Sequence, residues 1–290
     1  MKGSGMAIRN TDEDLYLLFP QWQGSGRTNE LYTGAMTLYQ SLKQTLPFAQ
    51  VHVESMAELQ EEHDIVGYAQ IIDHLQQVRA LLIDRNPRRI FSIGGDCGIE
   101  IAQVSFLNKL HDGDMALIWL DAHADANTPQ SSPSHTFHGM VLRTLLGDGD
   151  PEVISQSFSS LHPRQVFLAG VRDLDPPEAR FVEQQNLASF TCDQLTNNVQ
   201  NLITAIQARG FTHIYLHIDV DVLDPTSFPY LKHPTPNGLT VEALTHVRQS
   251  LISTFLAIGG SVVEFTSLQG DTRAISQLKG LYMHPHLLQR

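Results

Sequence analysis

Apolar and polar positions follow one another in blocks along this 290-residue chain, and the blocks predict alternating strands and helices. Short apolar runs end at polar or glycine-rich turns, and the longer segments between them carry apolar residues near helical spacing. The clearest helix is Asp64–Asp84. The clearest strand is Met115–Leu120, which contains no polar residue. Such a continuous apolar run is typical of a parallel strand that is buried on both faces.

The same pattern extends through the chain and predicts a full series of elements. The predicted strands are Leu15–Pro20, Val51–Val53, Ile90–Ile93, Met115–Leu120, Val166–Ala169, Ala188–Thr191, Ile214–Ile218 and Gly260–Val263. The predicted helices are Glu30–Thr45, Asp64–Asp84, one beginning near Gly98, His138–Leu146, Pro177–Gln185, Leu195–Arg209 and one beginning at Thr240. Uninterrupted β–α alternation predicts a single three-layer α/β domain, with a central parallel sheet flanked by helices. We expect Met1–Gly5 to be a vector-derived extension and residues 6–290 to form that domain.

Charge and cysteine content narrow the range of functions. Nineteen lysines and arginines stand against 31 acidic residues, which gives a formal charge of −12. This charge opposes binding to nucleic acid or to an anionic membrane and favours a small cationic partner. The two cysteines are far apart in the sequence and form no zinc or disulfide pattern, so a reducing cytoplasm is expected. No apolar run approaches the length of a membrane span.

The first candidate site directly follows the clearest strand. Asp121, His123 and Asp125 occupy alternate positions there. Alternate residues of an extended backbone project to the same side, so two carboxylates and an imidazole converge. Ligand sites in open α/β sheets lie at the carboxyl ends of strands. The alternative is a solvated acidic loop.

A second strand end repeats this design. The apolar run Ile214–Ile218 is followed by Asp219 and Asp221, which share a side, and by Asp224, which is out of phase with them. Crowded carboxylates repel one another and are costly to desolvate unless a cation neutralises them. Two such strand ends therefore predict a metal site. Oxygen ligands with an imidazole suit Mn²⁺ or a similar ion.

These two stretches, Asp121–Asn127 and Asp219–Pro225, resemble the two long metal motifs of the arginase (ureohydrolase) family. Other segments similar to family landmarks occur in the same order: Gly94–Cys97, His138–Met140, Gly170–Glu178 and Val262–Glu264. The resemblance covers nearly the whole chain. It implies an arginase-like fold, a binuclear Mn²⁺ centre and a trimeric or hexameric assembly. It also implies hydrolysis of a guanidino group, in which two metals lower the pKa of a shared water.

The resemblance assigns a ligand set. Asp121 and Asp219 would bridge the two metals, His123 and Asp221 would complete one site, and Cys97 and Asp125 would complete the other. The family usually has histidine at the position of Cys97, and a thiol must lose a proton to bind metal. The site that contains Cys97 is therefore expected to bind metal weakly, to hold a softer metal such as Fe²⁺ or Zn²⁺, or to be absent in a one-metal protein. The remaining alternative is that Cys97 is only a small packing residue.

Catalytic roles follow from the same resemblance. His138 is similar to the proton-shuttling histidine that protonates the departing amine. Glu264 would pair with the substrate guanidinium, and Asp125 is placed among the catalytic residues as well as the ligands. The alternatives are that His138 is an ordinary residue at the start of a helix and that Glu264 is a surface residue after the last strand.

Recognition of the substrate would rest on the rim of the site. Asn127 and Ser134 resemble positions that hold an α-carboxylate, and Asp175 and Glu178 resemble positions that face an α-amino group. This set favours L-arginine or a close relative over a decarboxylated amine, although Thr136 replaces an asparagine usual in arginases. N-hydroxylated arginine, agmatine, guanidinobutyrate and formiminoglutamate are the alternative substrates. A non-catalytic protein that binds a cationic metabolite is the alternative from another functional class.

Overall fold

Eight parallel strands form the central sheet of the computed structural model, which describes residues 14–26, 28–266 and 272–282. Their spatial order is β2-β1-β5-β10-β9-β6-β7-β8, and a separate antiparallel pair is formed by β3 and β4. The strands are β1 (Asp14–Phe19), β2 (Phe48–Gln50), β3 (Glu61–Glu62), β4 (Ile65–Val66), β5 (Arg89–Gly94), β6 (Ala116–Leu120), β7 (Val166–Ala169), β8 (Ala188–Phe190), β9 (His213–Asp219) and β10 (Leu256–Val263). The predicted extension Met1–Gly5 lies outside the described residues, and the single-domain boundary at residue 6 stays a prediction.

Helices cover both faces of this sheet. In the described ranges they are α1 (Glu30–Leu42), α2 (Tyr68–Arg85), α3 (Glu100–Leu110), α4 (Val141–Leu145), α5 (Pro151–Ser155), α6 (Pro176–Gln184), α7 (Cys192–Asn198), α8 (Gln200–Ala208), α9 (Val241–Thr254) and α10 (Thr272–Leu281). Helices α2 to α6 contribute to one hydrophobic core, and α1 with α7 to α10 contribute to the other. None of the helices described here has the length and hydropathy needed to cross a bilayer.

Strand β6 shows why the chain folds into three layers. Leu117 and Trp119 pack into one core, while Ala116, Ile118 and Leu120 pack into the other. All five are fully buried, so successive side chains need an apolar surface on each side of the sheet. The predicted α/β domain with a helix-flanked parallel sheet is confirmed.

Some predicted boundaries were wrong. Val51–Val53 was predicted as a strand, but the paired strand is Phe48–Gln50, at the edge of the sheet. Val51 and Val53 are buried, so their alternation reflects packing and not strand pairing. The predicted helix Leu195–Arg209 is divided into two helices, α7 and α8. The first begins earlier, after the capping residue Thr191, and the second ends at Ala208.

The strand order brings four candidate segments together. The four central neighbours are β5, β10, β9 and β6. Their carboxyl ends lead into Cys97, Glu264, Asp219 and Asp121 respectively. The turn after β5 requires glycine at position 95, because a Cβ there would lie 1.8 Å from the carbonyl oxygen of Gln21. Segments far apart in the sequence thus meet at one edge of the sheet.

Candidate metal centre and active site

Asp121, His123 and Asp221 form one cluster of potential ligands. His123 Nδ1 lies 3.0 Å from Asp221 Oδ2 and 3.5 Å from Asp121 Oδ1. One ligand atom from each of the three residues lies within 4.8 Å of the others. The backbone N–H of Ala122 donates to Asp221 Oδ1 at 3.0 Å, which orients that carboxylate. The cluster is compact enough to hold a metal ion.

A second cluster is formed by Cys97, Asp121, His217 and Asp219, whose ligand atoms also lie within 4.8 Å of one another. The thiol of Cys97 donates a hydrogen bond to Asp219 Oδ2 at 3.3 Å. Burial, reinforced by surrounding carboxylates, raises the pKa of Cys97 well above its usual range. In this state the thiol keeps its proton. Asp121 belongs to both clusters, as a bridging carboxylate would.

Asp125 is buried beside these clusters without belonging to either of them. Its backbone has a φ of 49°, an unusual conformation for an aspartate. Within the described part of the chain, its Oδ2 atom has no hydrogen-bond partner. Burial and the neighbouring charge of Asp121 raise its pKa well above the usual range. Its predicted roles as a ligand and as a catalytic group stay predictions.

The electrostatics of the two clusters fit a bound cation. Burial raises the pKa of Asp221 to about 6 and that of Asp219 well above its usual range. Burial also opposes ionisation of Asp121, but the neighbouring imidazoles of His123 and His217 outweigh it and lower the Asp121 pKa. Among the described residues, no hydrogen-bond partner reaches Asp121 Oδ2, although the atom is buried. Buried carboxylate oxygens of this kind are suited to a divalent ion.

His138 and Glu264 meet beside the metal clusters. His138 Nδ1 lies 3.4 Å from Glu264 Oε1, and the backbone N–H of Cys97 donates to the same oxygen at 3.3 Å. Glu264 is 1% exposed and has a φ of 60°. Burial raises the pKa of its carboxyl to about 7 and lowers the pKa of His138. The structure thus brings together His138 and Glu264, two of the three predicted catalytic residues.

His233 also lies at the site, although no motif in the sequence pointed to it. Its ring stacks on His138, with centroids 4.9 Å apart and an angle of 25° between the ring planes. It is carried by the proline-rich segment 225–236. Arg172 holds that segment in place by donating to the backbone oxygens of Thr235 and Asp221, both at 2.8 Å. The position of His233 therefore depends on a contact that no local pattern reveals.

A cavity of about 300 Å³ opens over these groups. It is lined by His123, Asp125, Asn127, Ser132, Pro133, Ser134, Thr136, His138, Gly139, Asp173, Asp175, Glu178 and His233. On its rim, Asn127 Nδ2 donates to Asp175 Oδ2 at 3.1 Å, and the hydroxyls of Ser134 and Thr136 share a hydrogen bond of 2.6 Å. The predicted substrate-binding residues therefore share one cavity with His123, which belongs to the first cluster, and with Asp125.

Glu178 lines that cavity and is held in place by two backbone hydrogen bonds. It accepts hydrogen bonds from the backbone N–H groups of Ala126 and Asp175, both at 2.9 Å. These bonds use both carboxylate oxygens and connect the start of α6 to the first metal motif. Glu178 thereby orients Asp175 and Asn127, whose side chains lie nearer to the rim.

Comparison with known proteins identifies the family of this chain. The family model described as "Arginase family" matches residues 28–283. An arginase of Staphylococcus aureus strain MRSA252 is 33% identical over 207 residues, which is 67% of this chain and 68% of the relative. An arginase of strain COL is 34% identical over 177 residues, 58% of each chain. The chain thus spans between about six tenths and two thirds of these curated relatives.

A solved structure supports the fold. An arginase of Entamoeba histolytica in complex with L-ornithine superposes with a TM-score of 0.80 at 20% identity, over 93% of this chain and 97% of the other. At this identity the likeness concerns the fold. The family model matches residues 28–283, which is most of the chain, and this match shows that the chain belongs to the arginase family.

Proposed function

We propose that this protein hydrolyses the guanidino group of L-arginine or a close relative and releases urea, or a substituted urea, and an ornithine-type amino acid. The observation that carries the proposal is the setting of Glu264. Among the described residues its Oε2 atom has no hydrogen-bond partner, although the side chain is buried between the metal clusters and His138. A guanidinium would supply the donors and the charge that this oxygen lacks.

The proposed cofactor is Mn²⁺ in a binuclear centre. Asp121 and Asp219 would bridge the two ions, His123 and Asp221 would complete one position, and Cys97 and Asp125 would complete the other. When bound, such ions lower the pKa of a water molecule to about 7, so that water can attack a guanidinium carbon. The buried oxygens of Asp121 and Asp125 that lack partners in the described chain support this assignment.

The surrounding side chains would orient the substrate and move a proton. Water adds to the guanidinium carbon, the bond to the alkyl nitrogen breaks, and that nitrogen leaves with an added proton. His138 is suited to deliver this proton, because burial lowers its pKa and keeps the imidazole neutral and able to accept a proton first. Asp175, Asn127 and Ser134 on the rim would bind the α-amino and α-carboxylate groups.

Cys97 favours a second candidate substrate, an N-hydroxylated arginine. Its thiol donates a hydrogen bond to Asp219 and must lose that proton to bind a metal, so we expect one metal position to be weaker. A substrate whose own hydroxyl oxygen helps to complete that metal position would compensate for the weak protein ligand. Agmatine and guanidinobutyrate lack the complete α-amino acid end that the rim residues would bind, and formiminoglutamate lacks the guanidinium that Glu264 would pair with.

The test measures the hydrolysis products that the purified protein releases with Mn²⁺. These are urea and ornithine from L-arginine, hydroxyurea and ornithine from N-hydroxyarginine, urea and putrescine from agmatine, urea and 4-aminobutyrate from guanidinobutyrate, and formamide and glutamate from formiminoglutamate. Turnover of either arginine compound supports the proposal. Turnover of agmatine alone would contradict the assignment of the rim residues. Saturable binding without turnover of any compound would instead identify a non-catalytic binding protein.

Asp219→Ala provides the matched inactive variant for this test. Because Asp219 is proposed to bridge both metals, its removal should abolish most metal binding and activity while the circular dichroism spectrum is unchanged. Wild-type metal content in the variant would contradict the bridging role.

A cytoplasmic location and a trimeric or hexameric assembly are part of the same proposal. The unpaired thiols of Cys97 and Cys192 support a reducing compartment. Light scattering of the purified protein checks the assembly, and a monomer would contradict it.

A further inference from the structure

His217 is a buried histidine, and one of its ring nitrogens has no hydrogen-bond partner in the described part of the chain. It lies on β9 two residues before Asp219, so both side chains project to the same side of the sheet. The ring is 0% exposed. Its Nε2 atom lies 3.7 Å from Asp121 Oδ2, and neither of these atoms has a hydrogen-bond partner among the residues described. A fully buried imidazole nitrogen that faces a fully buried carboxylate oxygen needs an explanation.

The other ring nitrogen is firmly held by Glu100. His217 Nδ1 donates to Glu100 Oε1 at 2.8 Å. Glu100 is itself fully buried at the start of α3, where it also accepts from Tyr215, Gln103 and Ser261. Because the carboxylate accepts the Nδ1 proton, the lone pair of a neutral imidazole is on Nε2. Carboxylate–histidine pairs of this kind orient the histidine ligands of metals.

Trp119 fixes the plane of the ring. The indole and the imidazole stack with centroids 3.5 Å apart and an angle of 13° between their planes. With one face against Trp119 and Nδ1 tied to Glu100, the ring has no freedom to turn Nε2 away from the cluster. The nitrogen therefore faces the same space as Cys97, Asp121 and Asp219.

We propose that His217 Nε2 is a metal ligand, and that it shares one ion with Cys97, Asp121 and Asp219. The four ligand atoms lie within 4.8 Å of one another, a spacing that a tetrahedral or octahedral ion can close with small side-chain movements. In this arrangement the fourth donor comes from β9 and not from Asp125, which lies outside the cluster. The inference rests on the metal-dependent function proposed above and deepens it by naming a ligand.

The donor set also predicts which metal this site prefers. One thiol, one imidazole and two carboxylates form a softer set than the oxygen-rich cluster around His123. Sulfur and imidazole ligands favour Zn²⁺, Fe²⁺ or Co²⁺ over Mn²⁺. We therefore infer two unequal positions, with a borderline transition metal at Cys97 and His217 and a harder ion at His123 and Asp221.

The alternative is that His217 is a protonated structural residue, paired with Glu100 on one side and Asp121 on the other. The two arrangements predict different responses to metal. If His217 is a metal ligand, its replacement should weaken metal binding and change the stability of the metal-free protein little. A structural ion pair stabilises the metal-free protein and leaves metal binding nearly unchanged when it is removed.

The experiment compares wild type with His217→Gln, whose amide can still donate to Glu100. Metal-free protein is titrated with Co²⁺ and Zn²⁺, and bound metal is measured by elemental analysis and by competition with a chelator. The matched control is His213→Gln, because His213 lies on the same strand and pairs with Asp114 at 3.0 Å, at the opposite end of the sheet.

We expect His217→Gln to lower the affinity of one Co²⁺ or Zn²⁺ per chain by at least about tenfold, whereas His213→Gln leaves it unchanged. The Co²⁺ absorption spectrum should show a thiolate charge-transfer band in wild type that weakens in the variant. Zn²⁺ should raise the melting temperature of wild type more than that of His217→Gln. The metal-free forms of these two proteins should melt within a few degrees of each other.

Two outcomes would overturn the inference. Wild-type affinity and an unchanged Co²⁺ spectrum in His217→Gln would do so, and so would a wild-type protein that binds no ion at this position. For a variant that fails to fold, ¹⁵N spectra of the wild-type imidazole replace it, because Nε2 of His217 must shift when Zn²⁺ is added. All these readouts concern metal binding, so a failure to release urea leaves the inference standing.

Discussion

The backbone N–H of Cys97 donates a hydrogen bond to Glu264 Oε1 over 3.3 Å, so the turn after β5 is tied to the end of β10. The bond orients the Glu264 carboxylate and leaves its Oε2 atom for another donor. It also means that a change at position 97 acts on two parts of the site, a metal cluster and the proposed guanidinium partner. The first two predictions separate these effects.

Glu264→Gln removes the charge and keeps the shape of the side chain. Substrate affinity and turnover should both fall, because the contact forms in the ground state and persists in the transition state. Loss of a charged hydrogen-bond pair corresponds to a decrease in kcat/KM of about 10- to 100-fold. Metal content should stay at the wild-type level.

The control for this change is Glu61→Gln, since Glu61 is an exposed carboxylate that pairs with His135 near the rim. Steady-state kinetics with a panel of guanidino compounds provide the measurement. An unchanged kcat/KM for Glu264→Gln across the panel would remove Glu264 from the site.

Cys97→His replaces a protonated thiol by a neutral nitrogen ligand. Mn²⁺ suits this ligand better, and no proton must be lost for binding. We expect the Mn²⁺ content to rise towards two ions per chain, with a gain of at least roughly tenfold in urea release from L-arginine. Turnover of N-hydroxyarginine should gain less or fall.

Elemental analysis and urea release at several Mn²⁺ concentrations test this prediction. Because Cys97 is only 1% exposed, the larger imidazole can disturb packing, and Cys97→Ser serves as a second variant that removes the sulfur without adding volume. The serine variant should lower the preference for Zn²⁺ over Mn²⁺. If wild type already holds two Mn²⁺ per chain and neither variant changes that number, Cys97 is no obstacle to metal binding.

His233→Ala should impair the proton transfer assigned to His138. Stacked aromatic rings contribute about 0.5–1.5 kcal/mol, so loss of the stack should decrease kcat up to about tenfold. Burial lowers the His138 pKa, and opening the site to water should raise it again. A higher pKa means that activity is lost at a higher pH as the solution is acidified.

The pH profile of kcat/KM measures this shift in the pH at which activity is lost on acidification. His233→Phe keeps a ring against His138 and should restore most of the turnover and the wild-type pH profile. Superimposable profiles for wild type and His233→Ala would show that the stack has no role in placing or desolvating His138.

A pH effect on stability should arise at His74, away from the metal clusters. His74 is 4% exposed, and burial lowers its pKa from 6.5 to about 4. Between these two values the unfolded chain takes up a proton that the folded protein does not. The contribution of His74 to the free energy of unfolding is therefore fully present above pH 6.5. It is lost on acidification towards pH 4, which lowers the free energy of unfolding by roughly 3 kcal/mol.

His74→Gln removes this contribution and keeps an N–H that can donate to Gln21. Urea denaturation at pH 7, 6 and 5 should show that the variant loses less stability than wild type over this interval. His52→Gln is the control, because the His52 side chain is 78% exposed. Parallel curves for wild type and His74→Gln would contradict the assignment.

The sequence identified the residues at strand ends, because a parallel sheet brings its carboxyl edges together whatever the lengths of the connections. That rule placed Asp121, Asp219 and Glu264 correctly in one region. His217 is harder to recognise, since it lies inside an apolar strand and only its phase relative to Asp219 is informative. His233 could not be predicted, because its position depends on Arg172 and on the path of a proline-rich segment.

Strand β10 has a consequence for how the protein is made. It is the last of the described strands, yet it lies between β5 and β9 and pairs with both. Before it is in place, β2-β1-β5 and β9-β6-β7-β8 are two half-sheets that no backbone hydrogen bond among the described residues joins. β10 must leave the ribosome before it can close the gap and bring Glu264 to the site. Nascent chains therefore carry the crowded acidic residues of both metal motifs before the site is complete.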